Sequence, residues 1–330
     1  MRVVSSLTAY IRDGLTQVDE RVVAPIGARL ERPALLSLLF HGVFETRSEL
    51  ESGVVHPQEA MTIADFEVLF EYFSSAGYRF VSVADIERGL DQSGRDVCIT
   101  FDDGYASTAR IVELLHRYSA PAVVFVSTGY VDSGKRFWWD AVYEGRSRRG
   151  ASGRDIAREI ARLEREAPEV VDRHLANEFG AAALEPRGDL DRPLTEGELR
   201  ALAADEYVTI GNHTAEHVVL ADRPAELVRR ELSEAQAYLE RTIGVTPTSV
   251  SYPEGAYDEV AVGIVRDLRF ASAFSTLRRR ERHPISAAHM YALGRFQLRR
   301  GSDLRRQLRA LRSELRLADA ARAVKRRDSV

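Results

Sequence analysis

The sequence predicts an α/β fold whose parallel sheet closes, or nearly closes, into a barrel. Three observations predict it. Short apolar runs rich in Val, Ile, Phe and Leu recur along the chain, each bounded by turn signals. Helical patterns lie between most of them. Polar, chemistry-bearing residues stand at the C-terminal ends of the runs, where barrels of this kind carry their sites.

The runs, in order, are "PALLSLLFHG" (33–42), "YRFVSVADI" (78–86), "DVCITFDDG" (96–104), "PAVVFVSTG" (121–129), "EYVTIGNHT" (206–214), "TPTSVSYPEG" (246–255), "RFASAFST" (269–276) and "YALGRFQL" (291–298). Their apolar continuity fits strands buried on both faces. Between them, "TIADFEVLFEYFSSAG" places Phe66, Leu69, Phe70 and Phe73 on one helical face and closes on Gly77. "YASTARIVELLHRYSA" carries Ile111, Leu114 and Leu115. "PAELVRRELSEAQAYLERTIG" carries Leu227, Leu232 and Leu239 and ends at Gly244. Residues 134–195 break the rhythm. They are rich in Arg, Glu and Ala, with Ile156, Ile160 and Leu163 at helical spacing, and read as a helical insertion after the fourth strand that covers the barrel mouth. The expected organisation is an N-terminal helical segment (1–32), the barrel (33–300) and a basic C-terminal helix and tail (301–330).

The 330 residues suffice for one large α/β domain, with 45% hydrophobic and 29% charged residues, as in a soluble globular protein. A net charge of −4 excludes a protein that coats nucleic acid through its overall charge. Cys98 is the sole cysteine, so no internal disulfide forms, and its apolar surroundings make it a core residue. The N-terminus lacks an apolar signal-peptide core, and no stretch approaches the roughly 18 apolar residues of a membrane span. The expected compartment is the cytoplasm. In the tail, Leu304, Leu308, Leu311 and Leu315 form an apolar stripe beside many arginines. That pattern suits a terminal helix with a solvated face, or peripheral attachment to the anionic inner face of a membrane.

The chemistry concentrates in two motifs. "GNHTAEH" (211–217) follows a strand and spaces His213 and His217 four residues apart, so a helix or turn there lets both imidazoles meet one metal ion. The same spacing suits two surface histidines. "ITFDDGY" (99–105) ends a buried strand on two adjacent acids, Asp102 and Asp103. Alone it fits an acidic turn. Together, one carboxylate and two imidazoles complete a three-ligand site, and the second carboxylate is left to take a proton from a water.

With "SYPEGAYD" (251–258) these motifs resemble those of the polysaccharide deacetylase family, also called the NodB homology or carbohydrate esterase family 4 group. The order and spacing cover roughly residues 33 to 298. The resemblance implies a distorted (β/α)7–8 barrel, a divalent metal and removal of N-acetyl, sometimes O-acetyl, groups from sugars. It implies Asp102 as catalytic base and Asp103, His213 and His217 as metal ligands. Zn2+ is the expected ion, with Co2+, Ni2+ or Mn2+ as alternatives. Pro253 and Gly255 match the third motif, and the Glu254 N–H would face the developing oxyanion. Much of the family has Arg where Ser251 stands and an aromatic residue where Glu254 stands.

This chain has no late Leu-x-His motif, as in a branch of the family that carries a histidine on the first strand. "LLFHGV" therefore implies His41 as general acid, with His283 and His289 as rivals. Arg295, on the last strand, would orient Asp102. Tyr105, Tyr252 and Pro253 flank the motifs as expected substrate contacts. Trp138 and Trp139, next to Phe137, either stack on a sugar or anchor the insertion. Asp140 either contacts a substrate hydroxyl or caps the next helix. The implied activity is hydrolytic N-deacetylation of an acetylated amino sugar in an intracellular glycan, glycolipid or glycoside precursor. Hydrolysis of a non-sugar amide and non-catalytic glycan binding are the competing readings.

Overall fold

A computed structural model describes residues 31–57, 61–298 and 303–313. Nine strands form one sheet: β1 (Ala34–Phe40), β2 (Arg79–Phe80), β3 (Arg95–Phe101), β4 (Ala122–Val126), β5 (Val208–Asn212), β6 (Ser249–Ser251), β7 (Ser272–Phe274), β8 (Glu281–Arg282) and β9 (Arg295–Gln297). The backbone of the sheet runs β7-β6-β5-β4-β3-β1-β8. All pairings except β1 with β8 are parallel. β9 pairs with β1, and Leu293, just before β9, bridges to Phe274 of β7. The segment 293–297 thus joins the two sides of the curled sheet, and the fold is the α/β barrel the sequence predicts, distorted where one isolated bridge replaces a ladder.

The longest register, Ala34 to Phe40 against Arg95 to Phe101, aligns the ends of β1 and β3. His41 and Asp102 therefore emerge side by side. Helices flank the sheet where the periodicity places them. Ile63–Ser75 begins with a capping box between Thr62 and Asp65 and buries Phe66, Leu69, Phe70 and Phe73. Phe66 packs edge-on against Phe40 at 4.8 Å. Each such ring is worth about 1.5–3 kcal/mol of burial. Ala225–Ile243 ends at Gly244 in the left-handed conformation. Cys98 is 1% exposed, and burial pushes its thiol up to about 12, as expected of a core residue.

One run departs from expectation. "YRFVSVADI" gives only the two-residue β2. A capping box between Ser82 and Asp85 then starts the helix Val83–Arg88, so local hydrogen bonding outweighs the apolar pattern.

After β4 comes the helical insertion, with helices Trp138–Arg148, Gly153–Leu163 and Pro168–Phe179. It has its own core of Phe137, Trp139, Val142, Leu163 and Leu175. Beneath it lies Arg136, 1% exposed, paired with Glu144 at 2.7 Å and Asp191 at 2.9 Å. Two compact units are distinguished, Ala34–Arg300 and the two termini, Met1–Pro33 with Gly301–Val330. In the second, Asp303 caps the helix Leu304–Arg312, and Arg312 pairs with Glu31 at 3.0 Å. No described helix is long and apolar enough to cross a membrane. The expectations about a leader and about the end of the basic tail fall on residues 1–30 and 314–330, outside those described.

Strand β5 must pass close to β4. A Cβ on Gly211 would come within 2.3 Å of the Phe125 ring. Gly211→Ala is expected to lower stability by about 1–3 kcal/mol, a typical overpacking cost. Urea denaturation measures it, and adding Phe125→Leu should recover part of the loss.

Candidate active site

Two neighbouring acids end β3 and leave it in different directions. The Asp102 N–H still bonds to the Phe40 carbonyl (2.8 Å), so Asp102 continues the strand. Asp103 then turns left-handed (φ 73°), with its carbonyl held by the Ser127 N–H (3.1 Å). That reversal sends the two carboxylates to separate partners.

Asp102 is gripped. Arg295 donates to Oδ1 and Oδ2, each at 2.7 Å, and Ser251 Oγ donates to Oδ2 at 3.0 Å. The same guanidinium reaches Ser251 Oγ, Thr100 Oγ1 and the Ser275 carbonyl. Burial acts to raise the Asp102 carboxyl, but Arg295 and then His213 hold it well below the usual carboxylate range.

Asp103 is the opposite. It is 1% exposed, and neither carboxylate oxygen has a hydrogen-bond donor among the described residues. Its Oδ1 lies 3.4 Å from Nε2 of both His213 and His217. Burial acts to raise this carboxyl too, and the neighbouring His41, His213 and His217 bring it below its ordinary value.

The histidine loop is neither helix nor strand. His213 follows β5, and its N–H bonds to the Val126 carbonyl. Thr214 and His217 are left-handed (φ 66° and 54°). Asn212 Oδ1 accepts from the Thr214 N–H and Glu231 from the Glu216 N–H, which fixes the bend. His213 Nδ1–H donates to the Ser251 carbonyl (2.8 Å), leaving Nε2 as the lone-pair nitrogen toward Asp103. Burial holds His217 down to about 4, so it is neutral at pH 7 and able to ligate. One ligand atom from each of Asp103, His213 and His217 lies within 4.8 Å of the others. A buried carboxylate without donors beside two imidazole lone pairs fits a divalent cation with N2O ligation.

Asp103 and His217 line a cleft of about 720 Å3 together with His41, His56, Trp138, Trp139 and Glu254, among others, a volume that suits a small saccharide. The insertion supplies one wall through Ala157, Ile160 and Glu164. Trp139 packs 4.6 Å from the His217 ring. Its Nε1–H donates to the Tyr105 hydroxyl, which donates to Asp140 Oδ2, both at 2.8 Å. Trp139 therefore both anchors the insertion and faces the cleft.

Other expected contacts fall elsewhere. Asp140 is fully buried. Its carboxylate accepts from the His56 N–H and from Tyr105, and it neither caps the helix nor lines the cleft. Tyr105 is held behind Trp139 by the same network. Tyr252 is a core residue: its ring stacks on Tyr257 at 4.9 Å and its hydroxyl donates to the Tyr291 carbonyl. Pro253 is buried beside it. The rivals of His41 lie at the other end of the strands. His283 Nε2 is 3.2 Å from Asp96, and His289 pairs with Glu281, both near the start of β1 and β3. His41 lines the cleft. So do Gln297 at the end of β9, and His56, Glu164 and Arg278, which no motif announces because they sit in irregular or inserted segments.

A family model described as polysaccharide deacetylase matches residues 89–273. No curated protein is matched by the sequence. Among solved structures, the Streptococcus pyogenes deacetylase PplD in complex with acetate is 16% identical, with a TM-score of 0.57 over 85% of this chain and 99% of that one. IcaB from Ammonifex degensii is 17% identical, with a TM-score of 0.58 over 86% and 98%. A de-N-acetylase from Aggregatibacter actinomycetemcomitans is 18% identical, with a TM-score of 0.54 over 82% and 96%. At these identities the structural likeness establishes the fold.

His213→Ala and His217→Ala are each expected to drop bound metal from near one equivalent to near none, read by elemental mass spectrometry after dialysis. Full occupancy in both would remove the triad. Burial pushes Asp140 up to about 7 from an ordinary 3.8, against the lowering effect of its donors. Between about pH 4 and 7 the folded chain then holds a proton that the unfolded chain has lost, so this group makes stability fall as pH rises. Asp140→Asn should flatten the decline of Tm across that window; an unchanged slope would contradict it.

Proposed function

The chain belongs to the polysaccharide deacetylase family, and from that premise we propose that it is a metal-dependent hydrolase removing the N-acetyl group from an acetylated amino sugar of a glycan, glycolipid or glycoside precursor. The observation that carries the reading is the split between the two acids. Asp102 is locked by Arg295 and Ser251, whereas Asp103 turns Oδ1 toward two imidazoles and neither of its oxygens has a donor among the described residues. A de-N-acetylase among the structural neighbours supports an N-acetyl substrate. We include in the proposal the cytoplasmic setting expected from the sequence.

Asp103, His213 and His217 would hold a divalent ion, Zn2+ being best suited to that donor set, and such an ion would supply Lewis-acid polarisation of the acetyl carbonyl and acidification of a water. Asp102 accepts the proton that water gives up. Its Oδ2 is 3.9 Å from His213 Nε2, so it borders the ligand set without joining it. Glu254 sits left-handed (φ 57°), with its carbonyl tied to Thr276 Oγ1, and its N–H is the proposed oxyanion donor. Gly255 is needed for that turn: it has φ 68°, and a Cβ there would meet Thr276 Oγ1 at 2.2 Å. His41, at the end of β1 and on the cleft, delivers a proton to the leaving amine. Trp138 and Trp139 offer ring faces to the sugar.

Metal-loaded protein incubated with a panel of N-acetylated sugars should release acetate, seen by mass spectrometry as loss of an acetyl group. Asp102→Asn should slow this by about 10²–10⁴-fold while metal content and the folded state persist. Undiminished turnover in that variant would exclude Asp102 as the base. Acetate released only from non-sugar amides would replace the substrate class.

A further inference from the structure

We propose that Tyr105 and Asp140 are positioning residues for the metal centre: they fix Trp139, whose ring orients His217 in place of the hydrogen bond that a ligating imidazole ordinarily makes through its second nitrogen. The inference rests on the metal site proposed above and adds to it three residues outside the ligand set.

The two ligand histidines are held in different ways. His213 Nδ1 is bonded to the Ser251 carbonyl at 2.8 Å. Such a bond fixes the tautomer and the ring plane of a metal-bound imidazole. His217 turns Nε2 toward Asp103 at 3.4 Å, and no described residue bonds to its Nδ1. Its backbone is left-handed and belongs to neither helix nor strand, so no regular element sets its direction. Its ring contacts are aromatic instead. Trp139 lies 4.6 Å away at 48°, and His213 4.9 Å away at 72°. The His217 side chain is 7% exposed, so the imidazole has little room to turn while the indole stays in place.

The indole is itself pinned. Its plane is set by packing: Phe137 stacks on it at 5.1 Å, and Tyr130 lies at 5.8 Å. Its polar edge is set by hydrogen bonds. Nε1–H donates to the Tyr105 hydroxyl, which donates to Asp140 Oδ2, both at 2.8 Å. An indole can only donate, so the hydroxyl must accept from it and give its own proton to the acid. Asp140 Oδ1 accepts from the His56 N–H at 2.6 Å. All three residues are buried, where a lost partner is not readily replaced by water.

A buried acid is costly, and Asp140 neither caps its helix nor lines the cleft. Anchoring the insertion would account for its burial alone. The chain of contacts goes further, because it ends on the ring of a metal ligand. It runs from Asp140 in the insertion to Tyr105 after β3, back to Trp139, and then to His217 after β5. Tyr105 follows Asp103 by two residues, so one short turn carries a ligand and the hydroxyl that supports another.

The test is zinc affinity, measured on full-length protein stripped of metal, by competition with a chromophoric chelator well below each variant's Tm. Tyr105→Phe removes one oxygen and keeps the ring that packs 4.2 Å from Phe137. Affinity should fall about 10–100-fold in Tyr105→Phe and in Asp140→Ala, the range for losing the outer support of a ligating histidine. Asp140→Asn keeps an oxygen that can accept from Tyr105 and should recover part of the loss. The visible spectrum of bound Co2+ should also shift in Tyr105→Phe, because the geometry at His217 changes. Phe73→Leu is the control for stability alone: Phe73 is a buried ring at the end of the helix Ile63–Ser75, against Tyr78. It should lower Tm and leave zinc affinity unchanged. Unaltered affinity in both Tyr105→Phe and Asp140→Ala would overturn the proposal and leave the metal site standing. An equal loss in Phe73→Leu would overturn it too, by assigning the effect to stability. No zinc bound by the unaltered protein would remove the metal site and the proposal together.

Discussion

The buried pair of Arg295 and Asp102 is the contact on which the rest of this barrel depends. One guanidinium, 1% exposed, bonds to groups on or just beyond β3, β6 and β7 while belonging to β9 itself. Its flanks lie 5.9 Å from the Phe125 and Phe274 rings. The sheet closes at Leu293, where three backbone hydrogen bonds (Leu293 N–H to the Ala273 carbonyl, Ser275 N–H to Leu293, Arg295 N–H to Leu277) form a short seam between β7 and the last strand. The arginine adds side-chain bonds across that seam. Removing one partner of such a pair strands a charge in the interior, at a cost of about 3–5 kcal/mol.

The same grip constrains the chemistry. A carboxylate held well below its usual range is a weak base, and a weak base does not deprotonate ordinary water efficiently. As the proposed base, Asp102 would need a water made acidic, which is what an ion on Asp103, His213 and His217 would provide. The two acids are thus unequal by construction. Asp102 is kept ionised and fixed in place by donors, and Asp103 is kept bare. Asp103 is a buried carboxylate without donors among the described residues, so an ion bound there would also stabilise the fold.

Much of this was legible in the sequence because it is local. Strand-end acids, the histidine spacing and helical faces such as Phe66 to Phe73 depend on neighbours a few residues away. What the sequence did not reveal depends on distant partners. "YRFVSVADI" looks like a strand until the Ser82–Asp85 box is weighed against it. Asp140 and Tyr105 look like polar cleft residues, yet each satisfies the other inside the protein. Tyr252 sits in a motif but turns its ring into the core, because β6 alternates its faces. Glu164 and His56 reach the cleft only through the folding of the insertion and of the segment after β1. Arg295 was visible as an arginine inside an apolar run, a placement that calls for a buried partner.

The departures of the third motif become one change when read in three dimensions. Much of the family has an arginine where Ser251 stands. Here the Arg295 guanidinium reaches in from β9 and bonds to the Ser251 hydroxyl itself at 2.8 Å. An arginine at 251 would bring a second positive charge into a space already filled by the first, so a small hydroxyl at 251 and an arginine at 295 require each other. With Asp102 held from β9, the third motif supports it only through the Ser251 hydroxyl. Its remaining proposed task is a main-chain donor at Glu254, and a backbone N–H is indifferent to the side chain attached. That freedom is what allows an acid, rather than an aromatic wall, to face the cleft at 254.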